Sequence, residues 1–321
     1  MLNLLKIEGI IKSIEEEKNV TVIFAVESGS RVWGMDSKDS DYDIRGVYIN
    51  NDPLDRGKRY FTNKTLTIDG FTDDRLYDWV FWELTSFLKL IQTNNSTAID
   101  WIMSDMCYRG KDELDKVKDR FLSDIDVNYY LRHHWGLMKS MYFKYVNPKR
   151  KTKEVINDRE ILHQHNHLMT YLEQLQVVDK TKAESVITKS VGLLEDMKVL
   201  VNNKYPDEEN LIDTKIKKIL YACRSAVSIE YIFQYNELPP LDINKGFDMI
   251  EVDFDKSLLC DLIALKRESN ELDNLMCPEW LTEWVAKLDT MMLNRSRKMV
   301  NLKIRTEDLV EYLLECENIY V

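Results

Sequence analysis

Apolar positions at the start of the chain recur at helical spacing. Leu2, Leu4, Leu5, Ile7, Ile10, Ile11 and Ile14 are backed by a charged run from Glu15 to Lys18. That period predicts an opening amphipathic helix. Val20 to Val26 follows as an unbroken β-branched and apolar run, the pattern of a buried strand. Asp41 to Ile49 reads as a second strand and Thr65 to Ile68 as a third. The stretch Arg75 to Gln92 begins without a clear period and ends as a helix with Leu84, Phe87, Leu88 and Ile91 on one stripe. After residue 120 the strand patterns give way to helical ones near 127–146, 152–177, 181–202, 208–236, 255–275, 279–299 and 306–316. Asn147-Pro148, Tyr205-Pro206, Pro239-Pro240 and Cys277-Pro278 punctuate them, and Thr306 is a natural N-cap for the last. The pattern predicts an α+β chain, with a small mixed domain over residues 1–125 and an all-helical domain over 126–321.

Composition narrows the classes. The chain has 321 residues, enough for about two domains with their own cores. A hydrophobic fraction of 44% excludes a disordered acidic protein. No apolar run approaches the ~18–20 residues that span a bilayer, and the first ten residues lack the pattern of a secretory signal. Five cysteines are scattered without a CxxC pair, which fits reduced thiols and a cytoplasmic setting. The formal net charge of −11 argues against a general DNA-coating protein, whose affinity comes from phosphate neutralisation. Glycine is scarce, yet Gly29, Gly34 and Gly46, three of the ten, fall close together.

Candidate chemistry concentrates in that stretch, Val26 to Tyr48. A buried strand runs into Gly29-Ser30, then a short helical turn, then Asp41-x-Asp43 opening the next strand. Gly29 permits a sharp turn and close approach to a ligand. Ser30, beside backbone N–H groups at a helix start, suits a phosphate oxygen. Asp41 and Asp43, two apart on a strand, point their carboxylates the same way. Paired acids repel unless a cation lies between them, and hard oxygen donors suit Mg²⁺ or Mn²⁺.

Gly29-Ser30 followed after ten residues by Asp41-Tyr-Asp43 resembles the DNA polymerase beta type nucleotidyltransferase superfamily. The extended form Gly29-Ser-Arg-Val-Trp-Gly34 and Asp39-Ser-Asp-Tyr-Asp-Ile-Arg-Gly-Val-Tyr48 is similar to its predicted branch associated with RNA repair. Tyr77-Asp78-Trp79-Val80, Asp100-Trp101, Arg224-Ser225 and Leu238-Pro239-Pro240 extend the likeness, while residues 150–205 find no counterpart and read as an insertion. The resemblance implies that residues 1–125 are a nucleotidyltransferase catalytic domain. It also implies a third metal-binding acid, for which Asp78 is the candidate and Asp69, Asp73 and Asp74 the runners-up; the competing reading makes Asp78 a helix N-cap. In this scheme Asp41, Asp43 and Asp78 are the catalytic, metal-holding residues. Gly29 and Ser30 position the β- and γ-phosphates, with Arg31 and Arg45 as countercharges; Arg45 serves equally well as an ion pair steadying the aspartates. Trp33 reads as packing against the sheet. The family pattern expects basic residues where this chain has Thr85 and Ser86.

Other signals carry less. His163, His165 and His167 lack a fourth ligand and read as surface histidines, and His133-His134 as a core or cleft pair. The basic clusters Lys149 to Lys153 and Arg295 to Lys298 with Lys303 and Arg305 are candidate rims for an RNA end or ordinary solvated faces. The expected activity is metal-dependent transfer of a nucleoside monophosphate from a nucleoside triphosphate, ATP first, to a hydroxyl on an RNA or tRNA-like end. The alternatives are transfer to a protein (AMPylation) or a small molecule, and nucleotide binding without catalysis.

Overall fold

A computed structural model describes residues 2–58, 64–146, 183–185, 187–189, 191–192, 214–268, 274–295 and 304–320. Helix α1 (Leu2–Lys18) precedes strand β1 (Val20–Ser28), and β2 (Tyr42–Asn50) returns antiparallel to it. After a short α2 (Pro53–Lys58) come β3 (Thr67–Phe71) and β4 (Tyr77–Glu83), a hairpin that leads into α3 (Leu84–Gln92). Then follow α4 (Ser96–Met103), β5 (Cys107–Arg109), α5 (Lys111–Phe121) and α6 (Val127–Met141), which continues as a π-helical segment, Tyr142–Val146. The five strands form one sheet in the order β3-β4-β2-β1-β5. Only the β2–β4 pair is parallel, because the chain crosses over through α2 and β3 before β4 joins the sheet.

The second half is built around α7 (Ile216–Tyr235), a helix buried on nearly every side. Around it lie α8 (Ile243–Met249), α9 (Ser257–Glu268), α10 (Glu279–Asn294) and α11 (Thr306–Tyr320). A short ladder of β6 (Thr214–Lys215) and β7 (Asn274–Leu275) closes it, so strand pairing does not end with the first half as the sequence pattern predicts. Apolar stripes on these helices join those of α3 to α6 and the inner face of the sheet in one continuous core.

Several expectations shift by a few residues. On α1 the buried stripe is Ile7, Ile11 and Ile14, which packs on the outer sheet face beside Val22, Ile44 and Phe81. Leu4 and Leu5 are 57% and 68% exposed, since they lie off the helix face that meets the sheet, where Asn3 in the first turn hydrogen-bonds the Tyr42 and Tyr77 hydroxyls. The ambiguous segment from Arg75 resolves into strand first and helix second. Glu83, not Asp78, caps α3 by accepting a hydrogen bond from the Ser86 N–H at 3.2 Å. Ser86 Oγ in turn accepts from Leu66 N–H at 3.0 Å. Those first-turn positions secure the helix start, which accounts for small hydroxyl residues where bases were expected.

All five cysteines are free thiols. Among the described residues no helix is long and apolar enough to cross a membrane. The histidine run at 163–167, the cluster Lys149 to Lys153, Arg297, Lys298 and Lys303 lie outside the described residues.

Candidate active site

Four strands bring their ends to one place. Ser28 pairs with Asp43, Asp43 with Asp78, and Asp78 with Phe71, a single row across β1, β2, β4 and β3. Directly paired residues project from the same sheet face, so the two acids stand side by side. Asp41 is the residue just before β2. It lies close enough that its charge, with that of Asp78, pushes the Asp43 carboxyl up to about 6; burial is the larger cause and Arg45 opposes it.

Arg45 lies between the acids. Its guanidinium contacts Asp43 Oδ1 at 2.6 Å and Asp78 Oδ1 at 2.5 Å, and also donates to the Asp78 carbonyl at 3.3 Å. The structure thus gives Arg45 the ion-pairing role. Among the described residues no three His, Cys, Asp or Glu side chains converge as a ready metal cage. The donor set still fits a hard divalent cation: clustered, partly desolvated carboxylates raise each other's proton affinity and are relieved by positive charge.

The turn between β1 and β2 is shaped around Asp43. Gly29 has φ +82°, and a Cβ there would lie 2.0 Å from Asp43 Oδ2. Only glycine leaves room for the carboxylate. Residues 30–34 form hydrogen-bonded turns, the expected helical turn kept to a single one: Trp33 N–H donates to Gly29 O at 3.1 Å, four residues back, and Met35 N–H to Ser30 O at 2.9 Å. Ser30 is buried, and its Oγ has no hydrogen-bond partner among the described residues. An unsatisfied buried hydroxyl is costly without a ligand to pair with. Arg31 braces the spacer instead of reaching outward. It donates to Asp41 O at 3.0 Å and to Ser40 O, and its guanidinium lies 3.9 Å from the Tyr42 ring centroid.

The helical half supplies parts that sequence reading missed. Lys217 and Lys266 line a pocket with Ser30, Met35, Leu220 and Tyr221. The Lys217 charge reaches Asp43, and buried Lys266 donates to Ser37 Oγ at 2.6 Å. Opening α8, Asp242 and Asn244 hold the glycine turn: Asn244 Nδ2 donates to Gly34 O at 3.2 Å and Ile243 N–H to Trp33 O at 3.0 Å. Nothing in the local pattern around 217 or 266 marks either lysine, because each sits on an ordinary helix.

Glu27 was also passed over, although an acid within an apolar strand just before Gly-Ser is a legible signal. It is buried on the opposite sheet face, accepts the Asp43 N–H at 2.9 Å and a hydrogen bond from the Tyr108 hydroxyl. Burial, the largest influence, pushes its carboxyl up to about 7.

Behind the turn, Trp33 packs against the core as expected. The Arg224 guanidinium lies 4.1 Å from the Trp33 ring and pairs with Asp100 at 2.8 Å. Asp100 also accepts from the Tyr130 hydroxyl at 2.6 Å. His134 lies tilted against Tyr130 with neither ring nitrogen hydrogen-bonded among the described residues, and burial holds its pKa well below the ordinary value. Asp100→Ala strands a buried guanidinium and is expected to cost about 3–5 kcal/mol. Urea unfolding would read it, and a loss under 1 kcal/mol would show that the pair does not secure the turn.

The family model described as RlaP, RNA repair pathway DNA polymerase beta family, matches residues 6–314. A protein of Bacillus subtilis (strain 168), named only as the uncharacterized protein YcgL, is 33% identical over 128 residues, which is 38% of this chain and 47% of that one. The chain thus matches about half the length of that curated relative. No solved structure matches.

Proposed function

This chain belongs to the RNA repair pathway DNA polymerase beta family, a nucleotidyltransferase-like family, and on that premise we propose that it transfers a nucleoside monophosphate from a nucleoside triphosphate to a hydroxyl at an RNA end. The observation that carries the reading is the pairing of Asp43 with Asp78, beside a buried, unpartnered Ser30 hydroxyl. Asp41, Asp43 and Asp78 would hold Mg²⁺ or Mn²⁺, which supplies charge neutralisation and a lowered hydroxyl pKa. Ser30 Oγ donates to a phosphate oxygen of the triphosphate, with ATP the first nucleotide to try. Lys217 and Lys266 set positive charge around the same pocket. The acceptor oxygen bonds to the α-phosphorus as the bond to the β-phosphate oxygen breaks, and pyrophosphate leaves. The hydroxyl proton passes to a carboxylate of the cluster, for which Asp78 is more exposed than Asp43. Arg45 keeps Asp43 and Asp78 in register before substrate arrives. The free thiols support a cytoplasmic setting.

The net charge of −11 favours a second acceptor class, a protein or small-molecule hydroxyl, because neither needs an extended basic groove. Incubation with each α-labelled nucleoside triphosphate, Mg²⁺ or Mn²⁺ and total tRNA separates the two. Label on RNA that depends on Asp41 supports the leading reading. Metal-dependent nucleotide binding with label only on protein or a small molecule would replace it.

A further inference from the structure

We infer that Phe71 and Arg75 form a stacking platform for the terminal base of the acceptor strand; this rests on the RNA-end reading above. Phe71 ends β3 as the direct cross-strand partner of Asp78, so its ring stands on the same sheet face as the acids, one strand farther out. It is 49% exposed. A lone exposed aromatic is ordinary on a protein surface, but this one occupies the next position in the catalytic row. The Arg75 guanidinium lies 3.6 Å from its ring centroid. Arg75 itself has φ +57°, a left-handed backbone uncommon for a residue with a side chain. An aromatic ring with a guanidinium laid over it offers π and cation–π surface to any base, without reading its edge.

Chemistry around the platform limits what it can take. Asp69 shares the exposed side of β3, and Asp73 lies in the turn that follows. These acids repel a run of phosphates, so the contact suits one terminal base whose sugar hydroxyl reaches toward Asp78. Ser30 follows Ser28, the β1 end of the same row, and lines one pocket with Lys217 and Lys266, so this charge gathers at the end of the row away from Phe71. Acceptor and triphosphate would approach the row from opposite ends, as an in-line displacement requires.

The test uses fluorescence anisotropy with a labelled, unstructured oligoribonucleotide whose 3′-terminal nucleotide is either intact or abasic. Mg²⁺ and a nucleoside triphosphate with a non-hydrolysable α,β bridge are present throughout. Wild-type protein is expected to bind the intact end about tenfold more tightly than the abasic one. Phe71→Ala should bind both ends alike, at the weaker level, while Phe71→Tyr keeps the preference. Binding of the nucleotide analogue should be unchanged in both variants. A wild-type protein indifferent to the terminal base, or a Phe71→Ala protein that keeps the preference, overturns the platform. Parallel labelling of RNA by the wild type separates the two readings. Labelled RNA without a Phe71 effect removes the platform alone. Base-dependent binding through Phe71 without labelling keeps the platform and removes the transfer reading.

Discussion

Asp43→Asn is expected to lower nucleotide transfer by about 10³-fold or more while leaving the fold intact. Loss of a carboxylate that holds a catalytic cation forfeits several kcal/mol of transition-state charge stabilisation, and each ~1.4 kcal/mol is tenfold in rate. The fold should survive because two effects oppose each other. Asn removes a charge that is costly to bury and that is repelled by Asp41 and Asp78, the influences that lift the Asp43 carboxyl to about 6, yet it also gives up the Arg45 contact at 2.6 Å. Arg45 retains Asp78 at 2.5 Å, so no buried cation is stranded. Thermal unfolding should move by no more than a few degrees, and titration with Mn²⁺ should show weakened binding. A variant with near-wild-type turnover would take Asp43 out of the chemistry altogether.

Gly29→Ala should be nearly as damaging, for a different reason. A side chain at φ +82° costs about 1–3 kcal/mol of backbone strain. The new methyl would also lie 2.0 Å from Asp43 Oδ2 and 2.9 Å from its Cγ, so the carboxylate must leave its place. A displacement of about 1 Å can cost 10²-fold in rate. Gly34→Ala is the matched control. It has φ +71°, and its Cβ would meet Asp242 at 2.4 Å instead of Asp43. Activity assays on both, normalised to the folded fraction, should show the larger loss at Gly29. Equal losses would mean that the turn as a whole, and not the room it leaves for Asp43, sets the rate.

Much of this was legible in the order of residues. Gly29, Ser30, Asp41 and Asp43 lie within 15 residues of one another, so their chemistry can be read from spacing alone. The stripe Leu84, Phe87, Leu88 and Ile91 is buried as its period predicts. Asp78 was harder. As a residue between an unclear segment and a helix, it fitted a cap as well as a metal site. The capping role went to Glu83 because β4 runs five residues beyond Asp78 before α3 begins. Arg31 had the right charge near the right turn, and the structure turns its Nε and Nη2 donors to the backbone carbonyls of Asp41 and Ser40.

By itself the sequence determined the chemical vocabulary of this protein: a glycine that opens a turn, a serine after it, a pair of acids, and the helices and strands that carry them. Tertiary structure alone decided who meets whom. Parallel pairing of β2 with β4 sets Asp78 against Asp43 across 34 intervening residues, and β3 adds Phe71 to the row. Helices α7 to α9 bring Lys217, Asp242 and Lys266 to a turn near residue 30. Hydrophobic period reports which face of an element is buried, since that depends on neighbours three or four positions away. It is silent on register and docking, because those follow from non-local packing of whole elements, where a slip of one residue would turn every side chain to the other face.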